Sequence, residues 1–275
     1  MSEGIVIKGL KKKFRDFDLG PIDASIPMGN ITAIIGANSS GKSALLRCIS
    51  RSCRIDAGSV SFAKAECSGN IGMVMDRCPY PPGMDPMDLS EIMSKVFPDW
   101  DRSGFLRLCS HLEIDSEKII ADMSEGSRTK LQIAVSLSHR TDYLLMDEPT
   151  SGLDSGSRDK VLDLVREYVS DEGRTVVIAS HDTSFIDVNA DCILLLDNGR
   201  QVLFDDMNSV RDEYGVVEES PGSVPQSYIF GEETGPYSRA VFVRNRAELS
   251  RRLPELTVES IRLCDLVAHC RGLGD

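Results

Sequence analysis

Short apolar runs of strand length punctuate this chain, and the stretches between them repeat apolar positions at helical spacing. Ile31 to Ile35, Tyr143 to Met146, Thr175 to Ala179 and Cys192 to Leu196 are almost wholly apolar, as strands covered on both faces require. The first third is strand-rich: IVIKGL, an extended stretch from Asp18 to Ile26 that stops at the turn PMGN, then ITAII. A helix is predicted from near Gly41 through ALLRCIS, and short strands at Ser59 to Ala63 and Ile71 to Met75, before the punctuating segment CPYPPGMDP. From Asp88 to Arg140 the spacing of Leu89, Ile92, Met93 and Val96, and then of Phe105, Leu106, Leu108 and Leu112, predicts a mostly helical block with these residues on one face. Strand and helix then alternate: YLLMD, a helix over Ser155 to Ser170, TVVIAS, a short helix after His181, CILLLD, and a hairpin turning on Asn198-Gly199 into RQVLFD. Strands separated by helices imply a mostly parallel sheet and an α/β fold. From Asp206 the chain turns acidic and then rich in Pro, Gly and Ser. A separate C-terminal segment is therefore expected over 206–275, a small α/β appendage with AVFVR as a strand and NRAELSRRL and VESIRLCDLVAHC as amphipathic helices.

Composition narrows the partners. Hydrophobic residues make up 41% and charged residues 27%, ordinary globular usage that disfavours disorder. A formal charge of −12 repels nucleic-acid phosphates, so no nucleic-acid partner is expected. No run approaches the ~18 apolar residues of a membrane-spanning helix, and the N-terminus lacks the pattern of a secretory signal, which reads as a cytoplasmic protein. Eight cysteines without a C-x-x-C pair read as free thiols, several of them in the core, such as Cys192.

The chemistry concentrates at three strand ends. Gly36-Ala37-Asn38-Ser39-Ser40-Gly41-Lys42-Ser43 fits G-x-x-x-x-G-K-[ST] between a buried strand and a helix. Glycines there let the backbone wrap phosphate oxygens, so that successive N–H groups and the helix start, Ala44 included, point at the anion. Lys42 reaches the β and γ phosphates, and Ser43 offers a hydroxyl to Mg²⁺. The apolar strand YLLM ends in Asp147 and Glu148. Asp147 suits a hydrogen bond to magnesium-bound water or Ser43, and Glu148 suits the orientation and deprotonation of an attacking water. His181 follows a third apolar strand, where an imidazole can bond a γ-phosphate oxygen. His111, His139 and His269 have no such position and read as surface or satisfied residues.

The ordered set GANSSGKS, MSEGSRTKL from Met123, LLMDEPTSGLD from Leu144 and SHD from Ser180 resembles the nucleotide-binding subunits of ABC transporters over roughly residues 4–205. The resemblance implies a P-loop NTPase core with a mostly parallel sheet, an antiparallel β subdomain and a helical subdomain at about 76–140, together an ATP-binding domain over 1–205. It further implies ATP and Mg²⁺ as cofactors and two subunits that sandwich two ATP molecules. In that reading Ser124 and Gly126 are signature-loop residues that reach the partner's γ-phosphate, Asp154 is the D-loop residue, and Asp76 stands at the Q-loop position, beside the metal. Phe14 best matches the adenine-stacking aromatic, with Phe17 as runner-up.

The sequence departs from the family pattern in two places. Glu125 and Ser127 replace a glycine and the glutamine of the usual L-S-G-G-Q, a variation similar to export-type members, and Asp76 replaces a glutamine and so cannot donate as an amide does. With no apolar span of its own, the chain would need a separately encoded membrane permease, docked near Pro79 to Val96 at the inner face of the membrane. The alternative is a soluble, non-transport ABC ATPase acting in assembly or regulation.

Overall fold

Successive side chains of a strand point to opposite faces, and β3 (Ile31–Ile35) buries all of them, so both of its faces must be covered. The computed structural model, which describes residues 2–64, 71–170, 173–218, 224–234 and 239–273, shows what covers them. Before β3 come β1 (Glu3–Lys13) and β2 (Asp18–Pro27); after it come α1 (Lys42–Ile49), β4 (Ala57–Phe62) and β5 (Ile71–Val74). The helical block holds α2 (Pro86–Val96), α3 (Arg102–His111) and α4 (Glu125–Ser136). Alternation resumes with β6 (Tyr143–Asp147), α5 (Ser155–Ser170), β7 (Thr175–Ala179), α6 (Thr183–Asn189), β8 (Cys192–Asp197) and β9 (Arg200–Asp206).

These strands form a six-stranded sheet in the order β5-β6-β7-β3-β8-β9, parallel except for the β8-β9 hairpin. Ile34, Leu145, Val177 and Leu194 share one core with α1 and the antiparallel sheet β2-β1-β4. Ile35, Leu144, Met146 and Ile178 face the opposite way, into a core shared with the helical block, α5 and α6.

The helical block departs from the expected single face. Leu89, Phe105 and Leu112 are buried, whereas Ile92, Val96 and Leu106 are exposed. The reason is geometric: α2 and α3 lie at the rim, and each contributes only a narrow stripe to the core.

Beyond β9 the chain forms α7 (Met207–Glu213), β10 (Gly215–Glu218), β11 (Ile229–Thr234), β12 (Arg239–Val243), α8 (Arg246–Arg252), β13 (Glu259–Ser260) and α9 (Leu263–His269). The strand AVFVR is present, within a four-stranded antiparallel sheet ordered β11-β12-β10-β13. VESIRLCDLVAHC is helical only from Leu263, because Glu259 and Ser260 pair with Val216 and Gly215 at the sheet edge. Phe230, Phe242, Ile261 and Leu266 belong to the same apolar cluster as Met146 and Ile186, and α7 ties to α6 through Arg211, which donates to the Asp187 carbonyl at 2.7 Å and pairs with its carboxylate at 3.0 Å. Of the described cysteines, Cys48, Cys109, Cys192 and Cys270 are buried and Cys264 is exposed; Cys67 lies outside the described residues.

This shared cluster makes the C-terminal sheet part of the cooperative unit. Phe242→Ala, at 2% exposure, should cost roughly 3–5 kcal/mol and lower the melting temperature by on the order of 10 °C in calorimetry, as one shifted transition. An unshifted main transition beside a new, weaker one would show that the two sheets unfold independently.

Candidate active site

The C-terminal ends of β3, β5, β6 and β7 open on one edge of the sheet, where open α/β sheets bind ligands. At the end of β3, Gly36 has φ 149, and a Cβ there would meet the Leu196 carbonyl oxygen at 2.2 Å and Ser40 Oγ at 2.6 Å. The loop that follows is tied by Ser40 N–H to the Ala37 carbonyl at 3.1 Å and by Gly199 N–H to the Ser40 carbonyl at 2.9 Å. Asn38 and Ser39 are exposed on its crest, and Ser39 has φ 65. Gly41, at φ 109, begins α1 without any side-chain cap, so the first N–H groups of the helix, through Lys42, Ser43 and Ala44, have no partner within the helix.

Lys42 is 7% exposed, and its Nζ donates to the carbonyls of Gly36 at 2.9 Å and Ala37 at 3.1 Å. Burial lowers its pKa, opposed by the negative charges of Glu148 and Asp147. Asp147 is 4% exposed and its Oδ1 has no hydrogen-bond partner. Burial raises its pKa, a hydrogen bond from Ser43 pulls the other way, and the charges of Asp76 and Glu148 add to the rise. Ser40 Oγ is likewise buried without a partner.

Glu148 has φ 50 and is held from both sides. His181 Nδ1 lies 2.9 Å from Oε1, and Ser180 Oγ donates to Oε2 at 3.2 Å. The backbone continues the ladder past the strand ends, Glu148 N–H donating to the Ala179 carbonyl at 2.9 Å. Asp182 accepts from Phe185 N–H at 3.1 Å, which starts α6, and pairs with Arg158 of α5 at 3.0 Å, so the residue after His181 is fixed at two points. Ser180 has no place among the residues read from the sequence as functional; only the β6-β7 pairing reveals it as a partner of Glu148.

Asp76 leaves β5 on the same edge, exposed, close enough for its charge to act on Asp147. Phe17 packs on the loop, since a Cβ on Gly41 would meet its ring at 2.8 Å; Phe14 lies outside it, with ring centroids 6.1 Å apart. Ser124 caps α4 through Ser127 N–H at 3.1 Å, and a Cβ on Gly126 would meet the Gly152 carbonyl at 2.5 Å. Ser124 thus bonds within the start of its own helix, and Gly126 stands against Gly152 and Leu153. Asp154 holds the start of α5 through Ser157 N–H and Oγ, both at 2.9 Å. His139 stacks on Phe97 at 3.9 Å, His269 stacks on Phe242 at 4.1 Å, and His111 is exposed.

This arrangement fits a nucleoside triphosphate with a divalent cation. Uncapped amides and a buried lysine suit phosphate oxygens, and the orphaned Asp147 oxygen beside the Ser43 hydroxyl suits a hard cation. Among the described residues no group of three or more His, Cys, Asp or Glu side chains is disposed to hold a metal.

A family profile described as ABC transporter matches residues 19–151, and one described as AAA domain matches residues 117–187. The ABC transporter ATP-binding protein YtrB of Bacillus subtilis is 27% identical over 203 residues, covering 71% of this chain and 69% of that protein. The petrobactin import ATP-binding protein YclP of the same organism is 30% identical over 203 residues, covering 65% of this chain and 77% of that protein. Among solved structures, a dimeric, post-hydrolysis ATP-binding cassette, MJ0796 bound to ADP and Pi, aligns with a TM-score of 0.66 at 20% identity, covering 74% of this chain and 98% of that one.

The crowding at Gly36 makes it a sensitive probe of the loop. Gly36→Ala should displace the loop and weaken ATP binding by at least about tenfold in titration calorimetry, with the fold retained by circular dichroism. Affinity equal to that of the unsubstituted chain would mean that this loop does not hold the phosphates.

Proposed function

Because the chain belongs to the ATP-binding subunits of ABC transporters, an ATPase family, we propose that it hydrolyses ATP between two copies of itself, or with a similar subunit, to drive a separately encoded membrane permease. The observation that carries this reading is the meeting of Lys42, Asp147, Glu148 and His181 at one edge of a parallel sheet, with Asp147 Oδ1 left unpartnered. Among the described residues no helix is long and apolar enough to cross a membrane, which agrees with a permease supplied by another chain and with attachment at the inner membrane face.

In this reading the amides of residues 36–44 and Lys42 hold the triphosphate, and Phe14 stacks on the base. Ser43 and Asp147 would hold Mg²⁺, which when bound would supply Lewis-acid polarisation of the triphosphate. Asp76 adds a carboxylate to the same edge. Glu148 receives a proton from the attacking water at a carboxylate oxygen, and Ser180 and His181 keep that carboxylate aimed. With Nδ1 engaged by Glu148, Nε2 of His181 is left to face the γ-phosphate. Ser124 and Gly126, exposed to solvent or packed on Gly152 and apart from the chain's own phosphate loop, complete the partner's site, with Asp154 at the same interface. A groove of about 400 Å³ lined by Asp76, Arg77, Tyr80, Pro82 and Arg128, with Ile92 and Val96 exposed on α2, supports permease docking there. Export as the direction rests on the resemblance of the Ser-Glu-Gly signature and of FPDWD, Phe97 to Asp101, to export-type members, YclP being named for import. The boundary between a nucleotide-binding part over 1–205 and an accessory part over 206–275 follows the end of the central sheet at β9.

Glu148→Gln should retain ATP binding, lose at least about a hundredfold in turnover and accumulate a species of twice the mass in light scattering with ATP and Mg²⁺. Undiminished turnover would remove Glu148 from the reaction. Purification of the tagged chain from detergent-solubilised membranes of its native source should recover a polytopic membrane protein; soluble partners alone would favour a non-transport ATPase.

A further inference from the structure

Among the described residues β5 is an edge strand, paired with β6 on one side only, so the amides and carbonyls of its outer side have no described strand to bond. Side chains of α4 take that place. Gln132 Oε1 accepts from Met75 N–H at 2.9 Å, and Nε2 of the same amide donates to the Met75 carbonyl at 3.1 Å. One helical turn on, Ser136 Oγ donates to the Met73 carbonyl at 3.4 Å. Residues four apart on a helix share a face and alternate carbonyls share a strand side, so the two bonds belong to one seam. Gly72 lets the helix approach, since a Cβ there would stand 3.1 Å from Ser136 Cβ and 3.2 Å from its carbonyl oxygen.

Packing alone does not require this glutamine. Leu131, Ile133, Ala134 and Val135 already supply the apolar contacts of α4, and an amide that is 1% exposed is costly to bury unless both of its ends are bonded. Both ends are spent on Met75, the residue immediately before Asp76. The other end of α4 begins at Ser124 and Gly126, roughly 12 Å away at ~1.5 Å per residue.

We propose that Gln132 is a positioning residue whose amide makes α4 and the strand exit at Met75 and Asp76 one rigid body. Movement of Asp76 at the chain's own ATP then carries Ser124 and Gly126 against the ATP of the partner. Each site thereby reports its occupancy to the other through a single helix, and cooperativity between the two ATP molecules depends on this latch. The inference rests on the two-copy reading above.

The test compares Glu148→Gln with Glu148→Gln/Gln132→Leu and Glu148→Gln/Gln132→Glu, the last keeping an acceptor for Met75 N–H but losing the donor to its carbonyl. ATP binding to the monomer should stay within about twofold, while the ATP concentration for half-dimerisation rises about tenfold in the Leu variant and by less in the Glu variant. ATP-induced protection from hydrogen exchange at 123–128 should be lost in the Leu variant. With Glu148 intact, Gln132→Leu should bring the Hill coefficient of hydrolysis from near 2 toward 1. Dimerisation at an unchanged ATP concentration with only a lower melting temperature overturns the proposal and leaves Gln132 structural. Should Gln132→Leu not fold, Ser136→Ala, which removes the other bond of the seam, must weaken dimerisation in the same direction, and no change there also overturns it. If Glu148→Gln alone fails to dimerise with ATP, the two-copy reading falls and this proposal with it.

Discussion

The structure turns on a charge imbalance held at the C-terminal edge of a parallel sheet. Lys42 contributes one positive charge, faced by Asp147 and Glu148, with Asp76 near enough to act on Asp147. Burial works against the charged form of both Lys42 and Asp147, and one Asp147 oxygen has no partner at all. The strands that carry the cluster are buried on both faces, and their C-terminal ends open on one edge of the sheet. Under the proposed function a metal-bound polyphosphate would relieve the imbalance: the cation would offset the carboxylates, and the amides and Lys42 would offset the phosphates.

The rest of the fold serves that edge. The antiparallel sheet β2-β1-β4 and α1 cover one face and seat Phe17 against the phosphate loop. The helical block covers the other face and, through α4, joins the edge strand to the signature residues. Gly126 packs toward Gly152 and Leu153, and Ser124 stands exposed at the start of α4, which under the proposed function leaves both to complete the site of a second copy. The C-terminal sheet packs on the same core, and α7, which leads into it, bonds α6, the helix that follows His181.

What was legible in the sequence is what local spacing dictates. The phosphate loop needs its glycines within a few residues of one another, and the carboxylates and His181 sit directly at the ends of apolar runs, so their edge follows once the sheet is parallel. Gln132 and Ser180 were not legible, because their partners, Met75 and Glu148, are joined to them only by strand order and helix placement. The faces of α2 and α3 were misread because apolar spacing gives a stripe but not its neighbours, and Ile92, Val96 and Leu106 stand at the rim. β10, β11 and β13 escaped notice because they are short or carry runs of glutamate, and Glu259-Ser260 pairs as an edge where a helix was expected to continue.

The central claim is that ATP joins the phosphate loop of one copy to the signature helix of another. Cysteines introduced as Ala37→Cys in one preparation and Glu125→Cys in a second, both exposed positions, test it most directly when the two are mixed with Cys264 replaced by serine and Glu148 by glutamine. A short bifunctional thiol reagent should then link the two chains with ATP and Mg²⁺ and should not link them with ADP or without nucleotide. Linking that ignores the nucleotide, or no linking under any condition, would contradict the account.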